Sequence, residues 1–302
     1  MRHVLSIQDL SAGELEVILD RAEAWRSGQR SPGRTPGPTG VLILERPALR
    51  TRIAYETAFH MLGGHLSVFE GGVGTTDSIE DVGRVLTRMV DVALVRTRDH
   101  GMLEVLASAA EIPVVNALSD RKHPVEVLAD ALVLRDVFGD PAGRKIAFVG
   151  DGGNVCASVL LLALLLGMNA AVATPEGHRP RDEILARAAV AAEAHGRTFE
   201  VAQTAATAVK GASVVYTDGW PTFDSRDDRE SIFGPYRVTR ELMNRAAPDA
   251  VFLHCLPAAR GLEVTDEVLD GPRSHAFARL ANLAPTSAAL IEWLTEETED
   301  KR

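Results

Sequence analysis

Six short segments of this 302-residue chain carry side chains able to bind or activate small polar groups. Pro47-Ala48-Leu49-Arg50-Thr51-Arg52 lies between a predicted strand and a predicted helix. Backbone N–H groups at a helix start, with a guanidinium and a hydroxyl, make an anion site; a solvated basic turn is the plainer alternative. Arg96 ends an otherwise apolar strand, where a cation reads equally as a second phosphate contact or a structural ion pair. His123-Pro124-Val125-Glu126 puts an imidazole at a helix start, placed to polarise a carbonyl oxygen. His123 as a cap, with Glu126 at the third helical position, explains the same residues.

Gly150-Asp151-Gly152-Gly153-Asn154 succeeds a strand and opens a helix. It has two glycines of a dinucleotide-binding turn, with Glu176 as the ribose acid, but lacks the third. Asn154 at that helix start suits a substrate carboxylate instead. Asp218, at a strand end, is a partner for an ammonium group or a cap for the next segment. In His254-Cys255-Leu256-Pro257 the strand alternation turns the first two side chains to opposite faces. His254 therefore does not activate Cys255 as a nucleophile, and the cysteine reads alone as a small buried hydrophobe.

The elements that must position these groups alternate along the chain. Ser11 and Glu14 form a capping box that opens a helix running to about Arg26. The spacing then predicts strands at Val41–Leu44, Asp91–Arg96 and Ile112–Val115, with helices at Thr51–Leu62 and Pro124–Phe138. A second series has strands at Ile146–Val149, Ala170–Thr174, Val214–Thr217 and Val251–Cys255, and helices at Asn154–Leu166, Pro180–His195 and Pro285–Glu296. Strands separated by helices imply an α/β protein of two domains, each a parallel sheet flanked by helices. The expected division is residues 1–138, residues 139–284, and a C-terminal helix at 285–302 that packs back on the first domain, with Asp140-Pro141-Ala142-Gly143 as the hinge. Sites in such sheets lie beyond the carboxyl ends of the strands, where all six segments fall.

A net charge of −10 excludes a general nucleic-acid binder. Two cysteines, no secretory leader and no apolar run of membrane-spanning length predict a cytoplasmic, reduced protein that does not engage membranes.

Taken in order, Arg50-Thr51-Arg52, Arg96, His123-Pro124, Gly150-Asp151-Gly152 with Asn154, Asp218 and His254-Cys255-Leu256-Pro257 resemble the transcarbamylases, in particular the ornithine branch. The resemblance implies a carbamoyl-phosphate domain and then an amino-acid domain, assembled as a homotrimer or a multiple of trimers, with no metal or organic cofactor. It implies that Arg50, Thr51 and Arg96 bind phosphate and that His123, with Glu126 nearby, meets the carbamoyl group. Asn154 and Asp218 would hold the acceptor's α-carboxylate and α-amine, Cys255 and the Leu256 carbonyl its side-chain amine, and Thr222 and Phe223 would shape the pocket.

The sequence departs from the pattern at several places. Ala48-Leu49 replaces Ser-Thr, Glu126 replaces a glutamine, Thr222-Phe223-Asp224 replaces Ser-Met-Gly, and Ala281-Asn282-Leu283 replaces Glu-Asn-Arg. These changes leave two functions open: carbamoyl transfer to ornithine or a related amine, and a catalytically impaired relative that binds a metabolite or partner.

Overall fold

A parallel strand buried on both faces has no polar side to alternate, so its sequence is a short apolar run. A computed structural model describes residues 1–32, 36–74, 76–220 and 226–299. It forms two units, Met1–Leu132 with Ala281–Arg302, and Val133–Leu280. The first holds β1 (Thr39–Leu44), β2 (His65–Glu70), β3 (Val92–Arg96) and β4 (Val114–Leu118), all parallel in the order β2–β1–β3–β4. Before and between them run α1 (Ala12–Arg26), α2 (Leu49–Met61), α3 (Ile79–Met89) and α4 (His100–Ala109), and α5 (Pro124–Phe138) follows, its residues to Leu132 belonging to this unit and the rest to the second.

The second unit holds β5 (Lys145–Val149), β6 (Asn169–Ala173), β7 (Phe199–Val201), β8 (Val214–Thr217) and β9 (Val251–His254), parallel in the order β7–β6–β5–β8–β9. Its helices are α6 (Asn154–Leu165), α7 (Asp182–Ala194), α8 (Ala205–Val209), α9 (Arg226–Phe233), α10 (Arg240–Met243) and α11 (Asp266–Leu269). The last helix, α12 (Leu283–Glu299), packs on α1 and α2 of the first unit. Glu292 is the tie: nearly buried, it accepts from Trp25 Nε1 at 3.2 Å and from Arg30 Nε at 2.7 Å.

Burial agrees with the predicted patterns. β3 is buried from Val92 to Val95, and only Arg96 at its end is partly exposed. α6 is buried on every face from Val155 to Leu164, as an all-apolar helix must be. Among the described residues no helix is long and apolar enough to cross a membrane.

Candidate active site

At the carboxyl ends of β1 and β3 the chain leaves a helix start open. α2 begins at Leu49, and its N-cap, Ala48, supplies no side-chain hydrogen bond. α1, α3 and α4, by contrast, are closed by Ser11, Ser78 and Asp99. The opening turn of α2 therefore lacks the capping side chain that closes those helices, and its amides carry the positive end of the helix dipole. Arg50 and Thr51 occupy this first turn, and Arg96 Nη1 donates to Thr51 Oγ1 at 2.9 Å. A β-bulge aims Arg96. Val95 pairs with Asn116 but Arg96 pairs with Leu118, so Ala117 is the extra residue and the local twist increases.

His123 directly precedes α5, buried, with its Nε2 3.3 Å from Glu126 Oε2. The loop that carries it is organised by Ser119. The Ser119 oxygen accepts from Asn116 Nδ2 at 3.1 Å and from the Lys122 amide at 3.2 Å, and lies 2.8 Å from His100 Nδ1. The Arg121 amide also donates to this oxygen at 3.4 Å, and the Lys122 carbonyl lies at the same distance.

Burial holds the His100 imidazole below its ordinary value, so the unfolded chain binds the proton more readily. Its stabilising contribution is complete above the ordinary histidine range and is lost as the pH falls from there towards the lowered value. Thermal melts of the wild type should decline across that acidic window. A His100→Asn variant should show a shallower decline, and an equal slope in both proteins would refute the assignment. His3, lowered mainly by burial, adds a slope of the same sign to both.

The second unit positions the other group of residues. The turn after β5 leads into α6, whose N-cap, Gly153, also lacks a capping side chain. Asn154 opens the helix, with its Oδ1 accepting from the Val155 amide at 2.9 Å. A Cβ on Gly152 would collide with Pro180 N, Arg179 C and His178 O. The space that a dinucleotide pyrophosphate requires at such a turn is filled by this chain's own backbone, which removes the nucleotide reading. Gly152→Ala should therefore cost roughly 1–3 kcal/mol and lower the melting temperature by about 2–10 °C; an unchanged melt would contradict the packing. Asp151 lies 3.3 Å from His178 Nδ1, and burial raises its carboxyl above the usual range.

Cys255 Sγ donates to Asp218 Oδ1 at 2.8 Å, joining the ends of β8 and β9. His254 faces elsewhere. Its Nδ1 accepts from the Leu256 amide at 2.8 Å, and its Nε2 lies 3.3 Å from Glu263 Oε1, with both residues fully buried. Leu256 has φ +60°, a conformation costly for a non-glycine residue. The His254–Glu263 pair thus holds a strained turn that presents the Leu256 carbonyl. β9 ends at His254, so strand alternation does not separate its imidazole from the thiol; the imidazole instead makes its contacts to the Leu256 amide and Glu263. Ligating atoms of Asp218, His254 and Cys255 lie within 4.8 Å of one another, but those contacts already engage each residue.

The first unit thus brings Thr51 and Arg96 together, and His123 with Glu126, while the second pairs Asp218 with Cys255 and places Leu256 beside them. Thr222 and Phe223 lie outside the described residues. Ser119, His100 and Glu263 carry no local signal in the sequence, because each acts through buried contacts to residues remote from it or to backbone.

Comparison with known proteins agrees with both halves. Residues 2–136 match the family described as aspartate/ornithine carbamoyltransferase, carbamoyl-P binding domain, and residues 142–294 match its Asp/Orn binding domain. The chain is 38% identical to an ornithine carbamoyltransferase of Parafrankia sp., covering 98% of this chain and 97% of the relative. It is 40% identical to that of Thermococcus kodakarensis, covering 96% and 95%. The solved ornithine carbamoyltransferase of Pyrococcus furiosus superimposes with a TM-score of 0.94 at 36% identity, covering 98% and 97%.

Proposed function

Because this chain belongs to the aspartate/ornithine carbamoyltransferase family, we propose that it transfers the carbamoyl group of carbamoyl phosphate to the side-chain amine of ornithine or a close analogue, releasing phosphate and a ureido product. The observation that carries this reading is the Arg96–Thr51 hydrogen bond beside the uncapped start of α2, an arrangement suited to a phosphate dianion.

In this reading Arg50, Thr51 and Arg96 hold the phosphate, and His123 donates to the carbamoyl oxygen as negative charge gathers there. Asn154 holds the acceptor's α-carboxylate and Asp218 its α-ammonium. Cys255 and the Leu256 carbonyl orient the side-chain amine. An alkyl amine with a pKa near ~10.4 is protonated at neutral pH. The site must therefore bind its neutral form, and the amine's proton leaves with the departing phosphate once the C–N bond forms. In the same reading Glu126 accepts from the carbamoyl NH2.

Retention of Arg50, Arg96, His123 and Cys255 favours this enzyme over an impaired relative. Steady-state phosphate release with carbamoyl phosphate and a panel of amines tests it. Ornithine or a close analogue should stimulate release, and a rate indifferent to every amine would overturn it.

We also place the protein in the cytoplasm as a homotrimer. The exposed side chains of Leu49, Ile53, Phe69, Val85 and Met89, on α2, β2 and α3, suit burial against further copies of the chain. A monomeric mass by light scattering would refute the assembly.

A further inference from the structure

The backbone around Arg96 is held by a residue to which the proposed reaction assigns no role. Glu45 directly follows β1 and stands beside the end of β3, where Leu44 pairs with Arg96. Its backbone N–H donates to the Arg96 carbonyl at 3.0 Å. Its carboxylate oxygen Oε2 accepts from Thr97 Oγ1 at 2.8 Å and from the Arg98 amide at 2.6 Å. One residue thus grips three successive positions, the first of them the cation that bonds Thr51. The Arg98 amide, and after it the Thr97 hydroxyl, hold the Glu45 carboxyl below its usual range. Thr97 is buried, and its own amide donates to the Leu118 carbonyl at 2.9 Å, next to the bulge that turns Arg96. Glu45 itself is exposed. An exposed carboxylate adds little to the core, and its charge opposes a phosphate dianion bound nearby. Packing therefore does not account for a glutamate here, whereas its three bonds to the Arg96 segment do.

We propose that Glu45 is a positioning residue of the donor site, its carboxylate fixing the Thr97–Arg98 backbone so that the Arg96 guanidinium stays aimed at Thr51 and the phosphate. β3 ends at Arg96, so the two residues that follow lie outside the strand. Hydrogen bonds to an ionised carboxylate are stronger than bonds between neutral groups, and these two order the chain just where it leaves the sheet. Without them the Arg98 amide loses this acceptor, and the segment spends part of its time in other conformations. A site whose arginine is in place for only a fraction of the time binds its ligand more weakly by that fraction. This inference rests on carbamoyl phosphate being the donor.

Two substitutions test it by initial-rate kinetics. Glu45→Ala should raise the KM for carbamoyl phosphate about tenfold, with kcat and the KM for the acceptor each within about twofold of wild type. Glu45→Gln should bring the donor KM back to within about threefold, because one amide oxygen can accept both bonds. A residue that only stabilises the fold would lower the melting temperature and leave the donor KM alone. One that only repels phosphate would give both variants a lower KM. Either result would overturn the inference, as would a Glu45→Gln enzyme no better than Glu45→Ala. On an Arg96→Gln background, Glu45→Ala should lower kcat/KM for the donor by less than about twofold; a full tenfold loss there excludes the route through Arg96. Wild-type protein that binds no carbamoyl phosphate by calorimetry would remove the donor reading and this inference together. Wild-type binding with an indifferent Glu45→Ala variant would remove the inference alone.

Discussion

Replacing Arg96 with glutamine should lower kcat/KM for carbamoyl phosphate by about a hundredfold to a thousandfold, with the acceptor saturating. Glutamine keeps a polar N–H donor of the arginine's inner half, but its amide falls short of the Nη1 position that contacts Thr51 at 2.9 Å, so that contact is lost as well. The change also removes the positive charge, and with it the charge-assisted bond to a phosphate oxygen. The fold should tolerate the change, because Arg96 ends its strand partly exposed and the four buried residues before it are untouched. The KM for the acceptor should stay within about threefold of wild type, since uniform loss of donor binding leaves the acceptor contacts intact. Initial-rate kinetics with each substrate varied in turn checks both statements. An Arg96→Gln enzyme with wild-type donor kinetics would remove Arg96 from the phosphate site.

The complementary substitution, Asp218→Asn, should fall on the other substrate. Asparagine is nearly isosteric and offers a carbonyl oxygen where Asp218 Oδ1 accepts from Cys255 Sγ at 2.8 Å. The thiol therefore keeps its partner, and the change isolates the carboxylate's charge. An ammonium held by a neutral amide loses the charge-assisted part of its bond, a penalty of roughly 1.5–3 kcal/mol. We expect kcat/KM for ornithine to drop about tenfold to a hundredfold, with carbamoyl phosphate binding unchanged by calorimetry. The reverse pattern, normal acceptor kinetics with weakened donor binding, would show that Asp218 has been given the wrong substrate.

How far the sequence led differs between the centre and the margins of each sheet. The central strands and the long helices were legible because their composition leaves one solution: β3, β5 and β8 are apolar runs too short for helices, and α6 is apolar on every face. Helix α5 was bounded at both ends by Pro124 and Phe138. Of the edge strands, β4 and β9 were legible as apolar runs, and β2 and β7 were not. β2 alternates exposed with partly buried residues and includes His65, Ser67 and Glu70, and β7 is three residues long, so neither stands out from a polar loop. Helices α3, α4 and α9 were also not predicted, and α8, α10 and α11 are only four or five residues long, too short for the hydrophobic period to repeat.

The site divides in the same way. Residues that must meet a charged ligand sit at strand ends and helix starts, where a cation, imidazole or carboxylate is conspicuous. Residues that hold those groups in place are hidden. Ser119 acts through its oxygen on Asn116, His100 and a loop amide. The glycine turn misled in a different manner. Gly152 answers to the neighbouring backbone at His178–Pro180, a long-range demand that local spacing does not reveal.

The central claim is that the carbon of the phosphate donor becomes the ureido carbon of the product. Carbon-13 NMR of carbamoyl phosphate labelled at its carbonyl, incubated with the protein and ornithine, tracks that atom directly. The account predicts that the donor signal disappears only when ornithine is present and reappears as a ureido resonance, one carbon for each phosphate released. Label that passes to carbamate and carbon dioxide at the same rate with or without ornithine would contradict it.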